Sequence, residues 1–92
     1  MRANIKKVIE AFTAGEPASG DSKRTCSTNG YTIFSYEMPI AWRLLDGSVV
    51  VAEYDAGPSR TTKSQIRACE IAFPGAKRGN YSHESEIFTQ AV

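Results

Sequence analysis

The side chains best suited to catalysis or metal binding are few and scattered in this sequence. His83 is the only histidine, and the only two cysteines, Cys26 and Cys69, stand far apart. Structural zinc sites gather about four such ligands at short spacings, and a catalytic histidine needs partners that orient it. No phosphate-binding glycine-rich loop, Gly-x-Ser-x-Gly or His-Glu-x-x-His motif occurs. We therefore predict a non-catalytic protein with no metal, no cofactor and no small-molecule substrate.

The two cysteines have a simpler interpretation. The N-terminus has no apolar run typical of a secretion signal, so both are expected to be reduced thiols of a cytosolic protein. Cys69 falls on the apolar stripe of a predicted helix, which favours a small core residue over a nucleophile. No apolar stretch approaches the roughly 20 residues that a membrane span needs.

The strongest chemical pattern is basic and one-sided. Arg60, Lys63 and Arg67 follow an i, i+3, i+7 spacing, which places them on one face of a helix. Glu70 is the only acidic residue between Ser59 and Phe73. Helix N-termini and nearby hydroxyls suit phosphate, so this pattern predicts a phosphate-binding face, with a plain solvated helix face as the alternative. The full predicted binding set is Lys23, Arg24, Trp42, Arg60, Lys63, Arg67, Lys77 and Arg78.

Trp42 enters this set because aromatic side chains crowd the predicted sheet. A tryptophan or tyrosine left on an open sheet face suits a protein interface or stacks on a base. The net charge of +1 narrows the partner classes further, because it excludes a strongly acidic DNA mimic and a uniformly basic nucleic-acid binder. Any electrostatic recognition must come from local clusters.

Two amphipathic helices are predicted at either end of a strand region. Ile5, Val8, Ile9 and Phe12 form one stripe of a helix over 3–13, which Gly15 is suited to cap. The segment 15–23 is predicted to be a surface loop, open to motion. A second helix should end before Pro74-Gly75, with Thr62 and Gln65 at capping-box spacing.

Between the helices the pattern predicts strands near 24–28, 31–36, 39–45 and 48–54. Asn29-Gly30 and Asp46-Gly47 are signals of two-residue hairpins. The segment 80–92 is left open between a helix, a strand and a tail. The result is a single two-layer α+β domain over 1–92, with an antiparallel sheet of three or four strands packed against an N-terminal and a later helix. The predicted core comprises Ile5, Val8, Ile9, Phe12, Ile33, Ile66, Cys69 and Phe73.

Parts of the region 31–66 resemble a family of small phage-encoded proteins. The resemblance is carried by Ser35-Tyr36, Ile40-Ala41, Asp46-Gly47, Val49-Val50-Val51, Tyr54 and the stretch from Ser59 to Gln65. Where that family tends to have a histidine before the glutamine, this chain has Ser64, so no role of that histidine carries over. The resemblance implies a phage or prophage origin and action in the cytoplasm of an infected bacterium.

Anti-CRISPR inhibitors are a prominent class among compact phage proteins, and by class-level analogy this chain is similar to an inhibitor of a type I complex such as I-F. The expected partners are subunits of the bacterial CRISPR-Cas surveillance complex and its guide-RNA phosphates, and target DNA binding would be blocked. The alternatives are a phage DNA-binding regulatory protein and a small virion assembly protein.

Overall fold

The computed structural model describes residues 3–20, 25–53 and 59–79. Lys23, Arg24, Tyr54, His83 and the open segment 80–92 lie outside the described residues. The α+β class that the sequence predicts is confirmed. The elements run in the order α1 (Ala3–Thr13), β1 (Pro17–Ser19), β2 (Cys26–Asn29), β3 (Thr32–Ser35), β4 (Met38–Arg43), β5 (Val49–Ala52), α2 (Arg60–Ala72) and β6 (Lys77–Gly79).

The described strands form one sheet of six in sequence order, β1 to β6. Neighbours pair antiparallel except β5 and β6, which are parallel and connected through α2. The prediction of three or four antiparallel strands is therefore too low, and the prediction of a loop over all of 15–23 is wrong at β1. Both missed strands have only three residues, which is too short to show an alternating apolar pattern.

The α1 boundaries match the prediction because local signals fix them. Gly15 has φ +75°, a left-handed conformation that side chains with a Cβ seldom adopt. Its N–H donates to the Phe12 carbonyl at 3.0 Å, and the next N–H reaches the Ala11 carbonyl at 2.9 Å. This double contact is the Schellman ending of a helix. Arg43 of β4 adds a hydrogen bond from Nη2 to the Phe12 carbonyl at 2.8 Å.

The two predicted hairpin turns are present but shifted. Between β2 and β3 the turn is centred on Gly30 and Tyr31, because Asn29 still belongs to β2 and its Oδ1 accepts the Tyr31 and Thr32 N–H groups. Between β4 and β5 the connection covers 44–48 and is longer than two residues. Side-chain hydrogen bonding by asparagine displaces the first turn by one position.

One core joins both helices to the sheet. Of the eight predicted core residues, seven are buried, and Phe73 is the exception because it is only partly buried at the edge of the cluster. The register shifts beside Ile33, and the adjacent residues Ile40 and Ala41 both reach this core, as expected at a β-bulge. Phe12 packs edge-on against Phe73, with ring centroids 5.5 Å apart.

The opposite sheet face carries a second, smaller cluster. Trp42 pairs across the strands with Val50, and both are buried together with Ala52. Trp42 is 1% exposed, so the prediction that it offers a binding surface is wrong. The indole packs as a core side chain, and periodicity could not reveal this because both faces of the central strands are apolar. In the described part of the chain, no helix is long and apolar enough to cross a membrane.

Candidate nucleic-acid interface on α2

The inner stripe of α2 is unusual because it is partly polar. Its buried residues are Thr62, Gln65, Ile66, Ala68 and Cys69. A buried hydroxyl or amide is costly unless it is hydrogen bonded. Thr62 meets this need, since its Oγ1 lies 2.8 Å from the Ser35 Oγ of β3. This contact and the buried Ile66, Ala68 and Cys69 lie on the same side of α2, so the opposite side of the helix faces outward.

The outer side of α2 carries the predicted basic residues. Arg60, Lys63 and Arg67 are all exposed, and an i, i+3, i+7 spacing aligns them along about 10 Å of the helix. Arg67 keeps 73% of its side-chain surface exposed although its guanidinium lies 3.4 Å from Glu70. The structure therefore brings these three cations together. We call Arg60, Lys63 and Arg67 the basic face.

Arg78 and Lys77 of β6 separate onto opposite sides of the sheet. Arg78 pairs in register with Val51 of β5, whose side chain faces the helices. The Nη1 of Arg78 lies 3.0 Å from Glu70 Oε1. Lys77 is level with Val50 on the other sheet face. Hydrogen bonds from Ser48 lower the pKa of Asp46, and the charge of Lys77 contributes to this lowering. Arg78 thus lies on the same side of the sheet as the basic face, whereas Lys77, also a member of the predicted binding set, lies on the opposite side and away from it.

The N-terminus of α2 is capped by the chain itself. Ser59 accepts the Thr62 N–H at 3.2 Å, so the predicted Thr62–Gln65 capping box is replaced by a cap one turn earlier. Ser59 Oγ also donates to Thr62 Oγ1 at 3.1 Å. These two hydroxyls are therefore engaged internally, and the cations of the basic face are the stronger donors to an anionic partner.

A pocket of about 440 Å³ adjoins the basic face, between α2, the first turn of α1 and the β3–β4 turn. Its lining combines apolar groups, hydroxyls and one cation: Ile5, Tyr36, Ser64, Gln65, Arg67 and Ile71 are among the residues that form it. Tyr36 and Ile71 are both more than half exposed. Large exposed apolar side chains beside polar groups are typical of a ligand or partner site.

A single carbonyl group positions two walls of this pocket. The Thr25 oxygen accepts the Tyr36 N–H at 3.0 Å and the Gln65 Nε2 at 3.1 Å. A carbonyl oxygen has two lone pairs, so these two donors fix both the turn and the orientation of the Gln65 amide. Gln65 is only 6% exposed, and its Oε1 is buried with no hydrogen-bond partner among the described residues. Reversing the amide would place two oxygens face to face, so Oε1 is the atom that stays unsatisfied.

Tyr36 has a strained backbone. Its φ of +55° is the only positive φ of a non-glycine residue among the described residues, and this conformation costs about 1–3 kcal/mol for a residue with a Cβ. With its backbone in this conformation, Tyr36 places a half-exposed phenol ring at the pocket. The sequence could not reveal this, because the Tyr36-Glu37 turn has no glycine or asparagine to mark it.

The thiols of the chain do not contribute to this site. Cys26 and Cys69 are free and fully buried in the core. Burial raises the pKa of the Cys69 thiol to about 12, and the neighbouring Cys26 and Glu70 add to the rise. A thiolate, which is the nucleophilic form, is thus strongly disfavoured. Within 3–20, 25–53 and 59–79, no cluster of three or more His, Cys, Asp or Glu residues is arranged to hold a metal ion.

No protein-family model, curated protein or solved structure matches this chain. The resemblance to small phage-encoded proteins therefore stays a prediction from the sequence. The site is defined by its own geometry: a basic face on α2, Arg78 beside it, and an adjoining pocket.

Proposed function

We propose that this protein is a non-catalytic phage inhibitor that binds a bacterial CRISPR-Cas surveillance complex through the basic face and contacts the guide-RNA backbone. Target DNA is then kept from the complex. The observation that carries the proposal is the alignment of three exposed cations on α2, a helix with no acidic residue in its first turn. A mixed surface, by contrast, is usual for a solvated helix.

The electrostatics of the basic face favour an anionic partner. Glu70 is the only acidic residue on α2, and two arginines already bind it. Arg60 and Lys63 have no ion pair in the described part of the chain. Cations that lack acidic neighbours keep their full attraction for phosphate, and they gain further from counterion release when RNA binds.

The test compares two charge-reversal variants with equal charge change. Arg60→Glu/Lys63→Glu removes two cations from the basic face, and Lys6→Glu/Lys7→Glu removes two exposed cations from α1. Each exchange subtracts two charges, so both variants go from +1 to −3. Binding to a purified, guide-loaded type I-F complex is measured by fluorescence anisotropy over a series of salt concentrations.

For the unaltered protein, three phosphate contacts predict a slope of log affinity against log salt of about −2. The α2 variant should bind much more weakly, with a slope near −0.7, and should no longer keep target DNA off the complex. The α1 variant should retain the slope and the inhibition. Equal loss in both variants would show that only net charge matters and would contradict the proposal.

The same proteins separate the alternative functions. Tight binding of bare duplex DNA, with no inhibition of the complex, would indicate a DNA-binding regulatory protein instead. Recovery of the chain from purified virions, with no affinity for the complex, would indicate an assembly protein. Either result would overturn the proposal.

A further inference from the structure

Three neighbouring pockets join into one groove along the side of α2. The pocket of about 440 Å³ beside the basic face shares Tyr36 and Thr61 with an open pocket of about 780 Å³ at the start of the helix. It shares Arg67 and Ile71 with a pocket of about 390 Å³ at the end of the helix. We call this continuous depression the α2 groove. It follows the 13 residues of α2, or about 20 Å, which is the length of about six residues of extended chain.

The junctions of the α2 groove carry exposed apolar side chains. Tyr36 lies where the first two pockets meet and is 51% exposed, and Ile71 lies where the last two meet and is 61% exposed. Met38, at 39% exposed, borders the groove near the start of α2. Three of the five large apolar side chains that are exposed in the described part of the chain therefore border one groove. Such a concentration of exposed apolar surface is typical of an interaction site.

These side chains favour a protein over a nucleic acid in the groove. The side chains of Ile71 and Met38 have no flat ring on which a base could stack, and base stacking is the usual apolar contact with single-stranded RNA. Protein interfaces, in contrast, are enriched in tyrosine, methionine and arginine, which are the residue types of Tyr36, Met38 and Arg67. A partner side chain that enters between Tyr36 and Ile71 removes apolar surface from water on both sides of the contact.

The charges around the groove select an acidic segment of that protein. Among the described residues, Arg67 is the only charged residue that lines the central pocket, and 73% of its side chain is exposed. Arg60 stands seven positions earlier on the same rim of α2 and has no ion pair in the described ranges. The acidic groups lie at the two ends, where Glu37 borders the first pocket and Glu70 already binds Arg67 and Arg78. The middle of the groove therefore attracts a carboxylate.

From this geometry we infer that the α2 groove docks an acidic segment of a partner protein. One large apolar side chain of the segment sits between Tyr36 and Ile71, and a neighbouring carboxylate lies against Arg67. This inference rests on the proposed function, because it assigns the segment to a protein subunit of the surveillance complex whose guide RNA the basic face contacts. It names the chemistry of the protein part of that partner.

The probes are three fluorescent peptides of equal length, tested with the full chain by fluorescence anisotropy. The first carries two phenylalanines, each flanked by aspartates, between glycine and serine spacers. In the second peptide serine replaces both phenylalanines, and in the third lysine replaces every aspartate. The acidic phenylalanine peptide should bind about tenfold tighter than the serine peptide, because only a phenylalanine ring buries apolar surface in the groove. It should also bind about tenfold tighter than the lysine peptide, whose cations are repelled by the rim of α2.

Two matched pairs of variants assign the binding to the groove. Ile71→Ser removes apolar surface from it, whereas Leu45→Ser removes a side chain of similar exposure, 55%, that borders none of the three pockets. Arg67→Gln removes the central charge, whereas Lys77→Gln removes one charge from the opposite sheet face. Ile71→Ser and Arg67→Gln should each weaken the acidic phenylalanine peptide about tenfold, and both controls should bind it like the unaltered protein. Thermal melting establishes that each variant is folded, and Met38→Ser replaces a groove variant that is not.

The peptide results decide the groove inference. It is overturned if no peptide binds, if the serine or lysine peptide binds as tightly as the acidic phenylalanine peptide, or if Ile71→Ser behaves like Leu45→Ser. Octa-uridylate is measured in parallel. If it binds and is weakened by Ile71→Ser, the groove takes RNA, and the inference is again overturned.

The guide-loaded complex separates the inference from the proposed function. Ile71→Ser should weaken binding to the complex with an unchanged salt slope, because it removes no charge. Peptide binding that depends on the groove, without this weakening, would overturn the assignment of the segment to the complex. If Ile71→Ser weakens binding while Arg60→Glu/Lys63→Glu does not, the groove inference is supported and the basic-face proposal fails. A loss caused only by Arg60→Glu/Lys63→Glu supports the basic face and overturns the groove inference.

Discussion

The two helices pack on the same side of one sheet, yet they contribute different things. The buried stripe of α1 is wholly apolar, with Ile5, Val8, Ile9 and Phe12 all in the core. The buried stripe of α2 includes Thr62 and Gln65, and its outer side carries the basic face. Apolar burial is the main stabilising term in folding, so α1 stabilises the domain more per residue. In α2, part of the buried stripe is polar, so this helix contributes less apolar burial and instead holds oriented polar groups.

The largest expected effect tests the stabilising role of α1. Phe12→Ala should lower the free energy of unfolding by about 3–5 kcal/mol, because the ring is fully buried and its loss leaves a cavity. It also removes the ring under the Arg43 guanidinium, whose carbon lies 4.4 Å from the ring centroid. Phe73→Ala should cost less, because Phe73 is only partly buried. Urea denaturation of both variants measures the difference, and equal losses would show that the deeper burial of Phe12 in α1 does not make it the stronger contributor to stability.

The next effect concerns Cys69 on the inner stripe of α2. Its pKa is raised from 9.0 to about 12, so the folded protein keeps the thiol proton at pH values where the unfolded chain has lost it. Stability from this group is therefore fully present below pH 9 and is lost as the pH rises toward 12. Between pH 9 and 10.5 the loss amounts to about 2 kcal/mol. Cys69→Ala should lack this part of the alkaline destabilisation in parallel urea titrations, whereas identical pH profiles would show that Cys69 does not contribute.

A smaller effect tests the polar contact that holds α2 on the sheet. Thr62→Val should cost about 1–3 kcal/mol, because it removes the partner of the buried Ser35 hydroxyl. Ser35→Ala should cost less, because Thr62 Oγ1 still accepts a hydrogen bond from Ser59 Oγ. The double variant should cost less than the sum of the two, since neither hydroxyl is then left unpaired. A double-mutant cycle measures this coupling. Strict additivity would mean that the 2.8 Å contact does not position α2.

The smallest effect lies on the outer side of α2. Glu70→Gln removes the carboxylate that binds Arg67 and Arg78, both of which are substantially exposed. Surface ion pairs contribute about 0–1 kcal/mol, so the melting temperature should change little. Affinity for the loaded complex should rise, because the basic face is no longer partly neutralised. A marked loss of stability with no gain in affinity would show that Glu70 is structural only.

The sequence by itself determined the features that depend on short-range order. The bounds of α1 follow from its apolar stripe and from Gly15, whose left-handed conformation is intrinsic to glycine. The basic face also follows from spacing alone, because residues three and four apart share one side of any helix. The same periodicity predicted that Cys69 is buried, which the structure confirms.

Only the tertiary structure decided which partners meet across the chain. The strands β1 and β6 exist because their backbones pair with neighbours, and a three-residue strand has no periodic pattern of its own. Trp42 is buried and Lys77 lies on the far face because sheet register assigns each side chain to a face. The pocket depends on one carbonyl, that of Thr25, which holds Tyr36 and Gln65 from distant parts of the sequence. Such long-range contacts arise from the packing of the whole fold, and no local pattern encodes them.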